Sequence, residues 1–397
     1  MKRSTHRILT THVGSLPRSD DMLPMLSAKM VGDPIDERAF EARLRGAVVD
    51  IVRQQVEHGL DVINDGEVGK PGFILYAEER LGGFERREVA GDAGAVARAR
   101  HYLAGSRELL AFPEYYQPEL EAAGAGPGRA PRQLVCTGPV SYRGHAQLQR
   151  DIENLRAALR EVSAEEAFIP AVSPNQVAYR RPNEYYRTDA EYEAAVAEAL
   201  REEYLAIVEA GFLLQVDDPQ LVTHYMRCPE LSIAEYRRWA EQHVELLNHA
   251  LRGIPRERVR FHTCYSIAFG PRVHDLELRH VVDILVKIHA GAHSFEAANP
   301  RHEHEWKDWA SVALPDDTIL IPGVVTQASV TVEHPELVAQ RIERFAALVG
   351  RERVIAGVDC GFASTARSAD MPTSIVWAKL DALAEGARIA SQRLWKG

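Results

Sequence analysis

Four side chains suited to binding a soft metal fall at the ends of apolar runs. His262 and Cys264 stand two apart in Phe261-His262-Thr263-Cys264-Tyr265, directly after the alternating Arg258-Val259-Arg260. Such alternation predicts a β-strand, where residues two apart point the same way. An imidazole and a thiol are therefore expected side by side, a pairing that suits a soft, tetrahedral ion such as zinc. Two later stretches offer matching groups. Ala292-His293-Ser294-Phe295-Glu296 delivers a carboxylate, Glu296, and Val354 to Gly361 delivers a second thiol, Cys360. A His-x-Cys pair alone is a weak signal, because core histidines and small buried cysteines give the same pattern. It gains weight here because all three stretches close β-like runs and precede loops. Zinc would strip the proton from a bound thiol and leave a nucleophile, and the protein would then align that sulfur with an alkyl donor.

Other polar groups occupy equivalent positions. Ile8 to Val13 runs into the turn Gly14-Ser15-Leu16-Pro17-Arg18, Asp61 to Glu67 ends in acids, and Phe212 to Pro219 is an apolar run closed by Asp217 and Asp218. Plainer roles exist for each: Ser15, Glu67 and Asp217 could cap a turn or the following helix. His302 and His304, in Asn299 to Trp306, have the spacing of a second metal pair, but substrate contact or hydrogen bonding behind the site is the preferred role. Cys136 and Cys228 lack ligand-type neighbours in sequence and read as structural.

The elements that position these residues alternate along the chain. Helical periodicity covers Glu37 to His58, closed by Gly59, and recurs over His145 to Glu161, Asp189 to Ala210, Ile233 to Leu251, Asp275 to His289 and Pro372 to Arg393. Continuous apolar runs lie between them, the mark of a parallel sheet covered on both faces. Runs ending at Val13, Glu67, Thr137, Asp217, His262, Glu296, Val325 and Cys360 make eight strands. A ninth run, Phe168 to Val172, is set aside because Pro170 cannot donate to a ladder. The expected fold is α/β, a (β/α)8 TIM barrel with helical insertions, in which chemistry sits at the C-terminal strand ends. One catalytic barrel is expected over residues 1–397, with an insertion at about 84–131 that reads as a helical hairpin.

Composition narrows the function class. The chain has 397 residues, 46% of them hydrophobic and 26% charged, which is ordinary for a globular protein. A net charge of -10 argues against a nucleic-acid binder, which needs a basic face. No run approaches the length of a membrane span, and the charged start is not followed by an apolar segment long enough for a signal peptide. Four cysteines in so long a chain are no disulfide framework. The expected location is the cytoplasm, where thiols stay reduced.

Taken together, these motifs resemble the catalytic barrel of the cobalamin-independent methionine synthase family. Val13-Gly14-Ser15-Leu16-Pro17 is similar to the family's opening turn, whose serine helps hold the homocysteine carboxylate. Asp65-Gly66-Glu67 resembles its Gly-Glu motif, and Thr137-Gly138-Pro139-Val140 its Thr-Gly-Pro-Val turn. Gln215-Val216-Asp217-Asp218-Pro219 resembles its Ile-Asp-Glu-Pro segment. The resemblance implies one zinc ion on His262, Cys264, Glu296 and Cys360. It implies a thiol held by Ser15, Glu67 and Asp217; Glu67 and Asp217 are expected to be catalytic, and Lys70 and His302, which the resemblance does not assign, are expected as further substrate contacts. Two departures stand out. The additional N-terminal barrel of the two-barrel enzymes has no counterpart here, and Gly323-Val324-Val325-Thr326-Gln327-Ala328 lacks the family's catalytic histidine.

The expected activity is therefore zinc-dependent methyl transfer to a small, homocysteine-like thiol, with a small-molecule alkyl donor. A corrinoid protein as donor and a homo-oligomeric state are both compatible with the sequence. One alternative keeps zinc but adds another thiol to an epoxide, as in the sister epoxyalkane:coenzyme M transferases. A lyase like the related uroporphyrinogen decarboxylases is a second, although those need no such ligand set. A non-catalytic metal-binding or thiol-binding protein is a third.

Overall fold

Among the described residues there are ten strands: β1 (Leu9–Thr10), β2 (Val62–Ile63), β3 (Leu81–Glu88), β4 (Arg132–Tyr142), β5 (Glu166–Val172), β6 (Leu213–Asp217), β7 (Val259–Thr263), β8 (Ala292–Phe295), β9 (Ile319–Val325) and β10 (Ile355–Val358). They belong to a computed structural model that describes residues 1–88, 103–116, 118, 132–179, 181–265, 270–366 and 371–396. Eight strands form one parallel sheet in the order β1-β10-β9-β8-β7-β6-β5-β2. A parallel bridge between Thr11 and Val62 brings its two outer strands together, giving the eight-stranded barrel. Two clusters, one of Leu9, Ala292, Ile319, Ile321 and Ile355, the other of Val62, Phe168 and Leu213, pack apart from the main core and share a contact with Met1. The main core lies between strands and surrounding helices, where Leu200, Tyr204, Ile207, Val338, Ile342 and Phe345 are buried.

The helices follow the 3.6-residue period. Glu37–Glu57 ends two residues before Gly59, whose φ of 78° is the left-handed conformation that glycine adopts freely. Asp189–Glu209, Ile233–Ala250 and Thr373–Trp395 lie close to their expected ranges, and Pro335–Val349 is a further helix. Asp275 to His289 departs: only the short turns Leu278–His280 and Val282–Leu285 are helical.

Two strand assignments are corrected. The barrel's third strand is β5, the run set aside because of Pro170, and it pairs with β6 through Pro170 and Gln215. On a strand the N–H and C=O of one residue face the same side, and the Pro170 carbonyl faces away from β6 to accept from Lys70 Nζ at 2.8 Å. The missing N–H therefore points to where β2 has already ended at Ile63, and no ladder bond is lost. The run through Thr137 and Val140 lies instead in β4, which pairs antiparallel with β3 outside the barrel. Glu85 to Glu88 of β3 are all charged and exposed, so no apolar alternation announced this partner.

Within the expected insertion, residues 89–102 and 119–131 lie outside the described residues, and Arg107–Ala111 is a short helix. Among the described residues, no helix is long and apolar enough to cross a membrane.

Candidate active site

β7 ends at Thr263 with His262 and Cys264 on one side, and β10 ends two residues before Cys360. The Cys264 and Cys360 sulfurs lie 2.8 Å apart. One ligand atom each from His262, Cys264 and Cys360 falls within 4.8 Å of the others, and all three residues are buried. His262 Nδ1 faces Ser294 Oγ at 3.3 Å, while Nε2 is buried without a partner. Burial, helped by the charge of Arg260, holds the imidazole down to about 3 and therefore neutral, the form that ligates. The Cys264 thiol, burial and Glu296 push the Cys360 thiol well above its ordinary value. Two buried thiols in contact beside an unpartnered imidazole nitrogen fit a soft divalent cation.

Glu296 stands beside this group but outside its 4.8 Å set. Its Oε1 accepts from the Tyr265 backbone N–H, and its Oε2 accepts from Arg272 and Asn299. The turn that carries it is fixed by Asp359, which accepts from the backbone N–H groups of Ala297, Ala298 and Asn299 at 2.8 to 2.9 Å. Asp359 precedes Cys360, so one short segment supplies a candidate ligand and braces the neighbouring strand end. Arg272 was not singled out from sequence, and Asp359 was marked only as the residue before Cys360 in a stretch, Asp359-Cys360-Gly361, that resembles the family's Asp-Cys-Gly.

A second group of side chains converges beside the thiols. A Cβ on Gly361 would collide with Ser15 Oγ, so the absence of one seats the serine against the residue after Cys360. A Cβ on Gly14 would lie 2.6 Å from Glu67 Oε1. Glu67 adopts φ 54°, a left-handed conformation unusual for a non-glycine residue, and its Oε2 is buried without a partner. Asp217 accepts from Gln215 Nε2 at 2.8 Å, and Gln215 also donates to the Val13 carbonyl beside Gly14. Burial raises both acids, Asp217 well above the ordinary carboxylate range, where the negative charge of Glu67 adds to the shift. Lys70 lowers both and lies 4.2 Å over the Tyr76 ring. Arg18, buried, donates to the carbonyls of Glu67, Lys70 and Ala363, tying the Glu67 turn to the loop after Cys360. Ser15, Glu67, Lys70 and Asp217 are thus buried polar groups at neighbouring strand ends, with Ser15 against the residue after Cys360.

His302 is placed differently from a residue that faces substrate. Its ring stacks on Tyr265 at 3.9 Å, Nδ1 meets Glu305 at 2.8 Å and Nε2 meets Asp275 at 3.2 Å. Burial opposes its charge, but the two carboxylates outweigh that and raise it to about 9. His304 is exposed and does not join it in a ligand pair. Cys228 lies 3.6 Å from His224 Nδ1, and Cys136 Sγ is 3.5 Å from the Gly138 carbonyl. Beyond β9, Gln327 is buried. His334 is exposed and caps the helix Pro335–Val349, accepting from the Glu336 N–H.

Comparison with known proteins identifies a family. The family described as "Cobalamin-independent synthase, Catalytic domain" matches residues 8–99 and 177–376. The methionine synthase of Thermococcus kodakarensis is 24% identical over 388 residues, covering 97% of this chain and 94% of that protein. That of Saccharolobus solfataricus is 25% identical over 388 residues, covering 97% and 95%. A B12-independent methionine synthase from Shewanella sp. W3-18-1, solved in complex with selenomethionine, superposes with a TM-score of 0.70 at 18% identity. That alignment covers 98% of this chain and 100% of that one.

Proposed function

The chain belongs to the cobalamin-independent synthase catalytic-domain family, and from that premise we propose that it is a methyltransferase acting on the thiol of homocysteine or a close analogue. The observation that carries the proposal is the convergence of one ring nitrogen of His262 with Cys264 Sγ and Cys360 Sγ, all within 4.8 Å of one another. His262, Cys264 and Cys360 would hold a zinc ion, with Glu296 adjacent. When bound, zinc lowers the pKa of a coordinated thiol, so that sulfur is nucleophilic near neutral pH.

The chain's own residues supply the rest. Glu67 and Asp217 offer carboxylates for an ammonium group, and Ser15 and Lys70 offer donors for a carboxylate. Arg18 and Asp359 hold the two loops that frame the pocket. Both ligand thiols must stay reduced, which places the chemistry in a reducing compartment such as the cytoplasm. Small-molecule thiol and alkyl donor are the partners, with a methylcorrinoid protein favoured as the donor because Thr326 and Gln327, and no histidine, directly follow β9.

Metal analysis of the purified protein tests the reading. One zinc per chain is expected, and Cys264→Ser and Cys360→Ser should each lose it. Retention of full zinc by both variants would overturn the assignment. A second reading, thiol addition to an epoxide, keeps the same metal; a preferred thiol without an amine would favour it.

A further inference from the structure

Lys379 lies on the helix Thr373–Trp395 with none of its side chain exposed. Its Nζ donates to Glu333 Oε2 at 2.8 Å and to the Thr331 carbonyl. Glu333 accepts from the Thr326 N–H at 2.8 Å through its other oxygen. Thr326 is the first residue after β9. Its hydroxyl oxygen accepts from the Ala328 N–H at 3.1 Å, and the hydroxyl donates to the Asp359 carboxylate. Asp359 in turn accepts from the N–H groups of Ala297, Ala298 and Asn299, in the turn after Glu296, and it precedes Cys360. Its own N–H donates to the Val325 carbonyl at 3.0 Å, and a Cβ on Gly323 would collide with its Oδ1, so β9 and the end of β10 meet closely here. One line of hydrogen bonds therefore runs from a helix outside the barrel to the residue that links Cys360 with the Glu296 turn. Replacing a buried ion pair by apolar residues is often neutral for stability, because desolvating the charges costs about what their attraction returns. Stability is thus a poor reason for Lys379 and Glu333. What the pair fixes is direction: the ammonium anchors Oε2, so Oε1 stays aimed at Thr326.

We propose that Lys379 and Glu333 are positioning residues for the metal centre: they hold Thr326 so that its hydroxyl stays on Asp359, and Asp359 keeps Cys360 and Glu296 in register with each other. This inference rests on the reading of the cluster as a metal centre. Without the lysine, Glu333 is a buried carboxylate with no cation, and it turns toward solvent and releases the Thr326 N–H. Thr326 then loses its hold on Asp359, and the ends of β8 and β10 loosen together.

The test is a zinc dissociation constant, by chelator competition, for the wild type, Thr326→Val, Thr326→Ser, Lys379→Met and two double variants, Lys379→Met/Thr326→Val and Lys379→Met/Glu333→Gln. Groups that orient metal ligands are worth about tenfold or more in affinity, so Thr326→Val and Lys379→Met should each weaken zinc binding by about that factor. Thr326→Ser keeps the hydroxyl and should stay within about threefold of the wild type. Both losses run through one path, so Lys379→Met should add less than about twofold to Thr326→Val, not a further tenfold. Glu333→Gln should restore Lys379→Met to within about threefold, because a neutral amide needs no cation and its oxygen still accepts from Thr326. The visible ligand-field bands of the cobalt(II)-substituted proteins should shift in Thr326→Val and Lys379→Met, and match the wild type in Thr326→Ser and the restored pair. Unchanged zinc affinity in Thr326→Val would overturn the proposal, and so would independent, multiplying losses in Lys379→Met/Thr326→Val. If Lys379→Met does not fold, Thr326→Val against Thr326→Ser decides by itself. A wild type that takes up no zinc overturns the metal reading and this inference together, whereas stoichiometric zinc that is indifferent to Thr326→Val sinks this inference alone.

Discussion

Glu67 and Asp217 are buried carboxyls that each make ionisation of the other harder, and an ammonium group placed between them would relieve both. Glu67→Gln should therefore weaken binding of an amino-thiol by about tenfold, or about 1.4 kcal/mol, while leaving zinc content unchanged. Calorimetric titration of homocysteine into both proteins checks this, and equal dissociation constants would remove Glu67 from the pocket. His302 gives a prediction of a different kind. Its folded-state pKa is raised to about 9 from an ordinary 6.5, so the stabilisation is fully present below pH 6.5 and disappears as pH rises through 9. Near pH 6, His302→Gln should cost on the order of 2–3 kcal/mol, with Asp275 and Glu305 losing their cation while Arg272 remains. Above pH 9.5 the two proteins should unfold at similar denaturant concentrations; a constant difference across that range would mean that the histidine contributes through packing on Tyr265. At this scale the sequence announced residues by chemical type and spacing. His262, Cys264, Cys360, Ser15, Glu67 and Asp217 all close apolar runs, and the structure gathers them. Arg272 was not legible, because a lone arginine in a loop has no period, and only the fold reveals which carboxylate it faces.

Strands and helices differ in how openly they declare themselves. The helix Glu37–Glu57 was readable from its period and from Gly59, since both signals are local. The third barrel strand was hidden because the acceptability of Pro170 depends on where the neighbouring strand β2 ends, which no local pattern encodes. The seam between β1 and β2 is similar. Each strand is two residues long, and the Thr11–Val62 bridge is supplemented by side chains. Asp61 Oδ2 accepts from the Thr10 N–H at 2.9 Å. Gln55, fully buried on its helix, meets His12 Nε2 at 2.8 Å, accepts from the Asn64 N–H at 3.1 Å and donates to the Asn64 carbonyl at 2.8 Å. Gln55→Leu keeps the helix but strands these buried groups without partners. It should cost about 2–4 kcal/mol and speed exchange of the Asn64 amide. A loss below about 0.5 kcal/mol would show that the backbone alone closes the seam.

At the scale of the whole molecule, the methyl donor must meet the thiol across the open end of the barrel, and its leaving group decides which donors can work. A methyl group on a tetrahydrofolate nitrogen departs readily only if that nitrogen is protonated, so the enzyme needs a general acid near it. The loop after β9, where the family resemblance implies a histidine, carries Thr326 and Gln327, and a glutamine cannot donate a proton near neutral pH. Its nearest titratable groups are committed elsewhere. Glu333 binds the Thr326 N–H at 2.8 Å and Lys379 Nζ at 2.8 Å, and His334 is exposed at the start of a helix. A corrinoid releases its methyl group by leaving as the reduced cobalt species, which needs no proton. With zinc-replete protein and homocysteine, single-turnover transfer of labelled methyl should therefore be about a hundredfold faster from methylcobalamin than from methyltetrahydrofolate, the factor that one well-placed general acid is worth. Introducing a histidine by Gln327→His should raise the folate rate selectively and leave the corrinoid rate unchanged. Rapid transfer from the folate in the unmodified protein would mean that another group delivers the proton, and Glu67 and Asp217, whose carboxyls burial holds protonated to higher pH than usual, would be the first to examine.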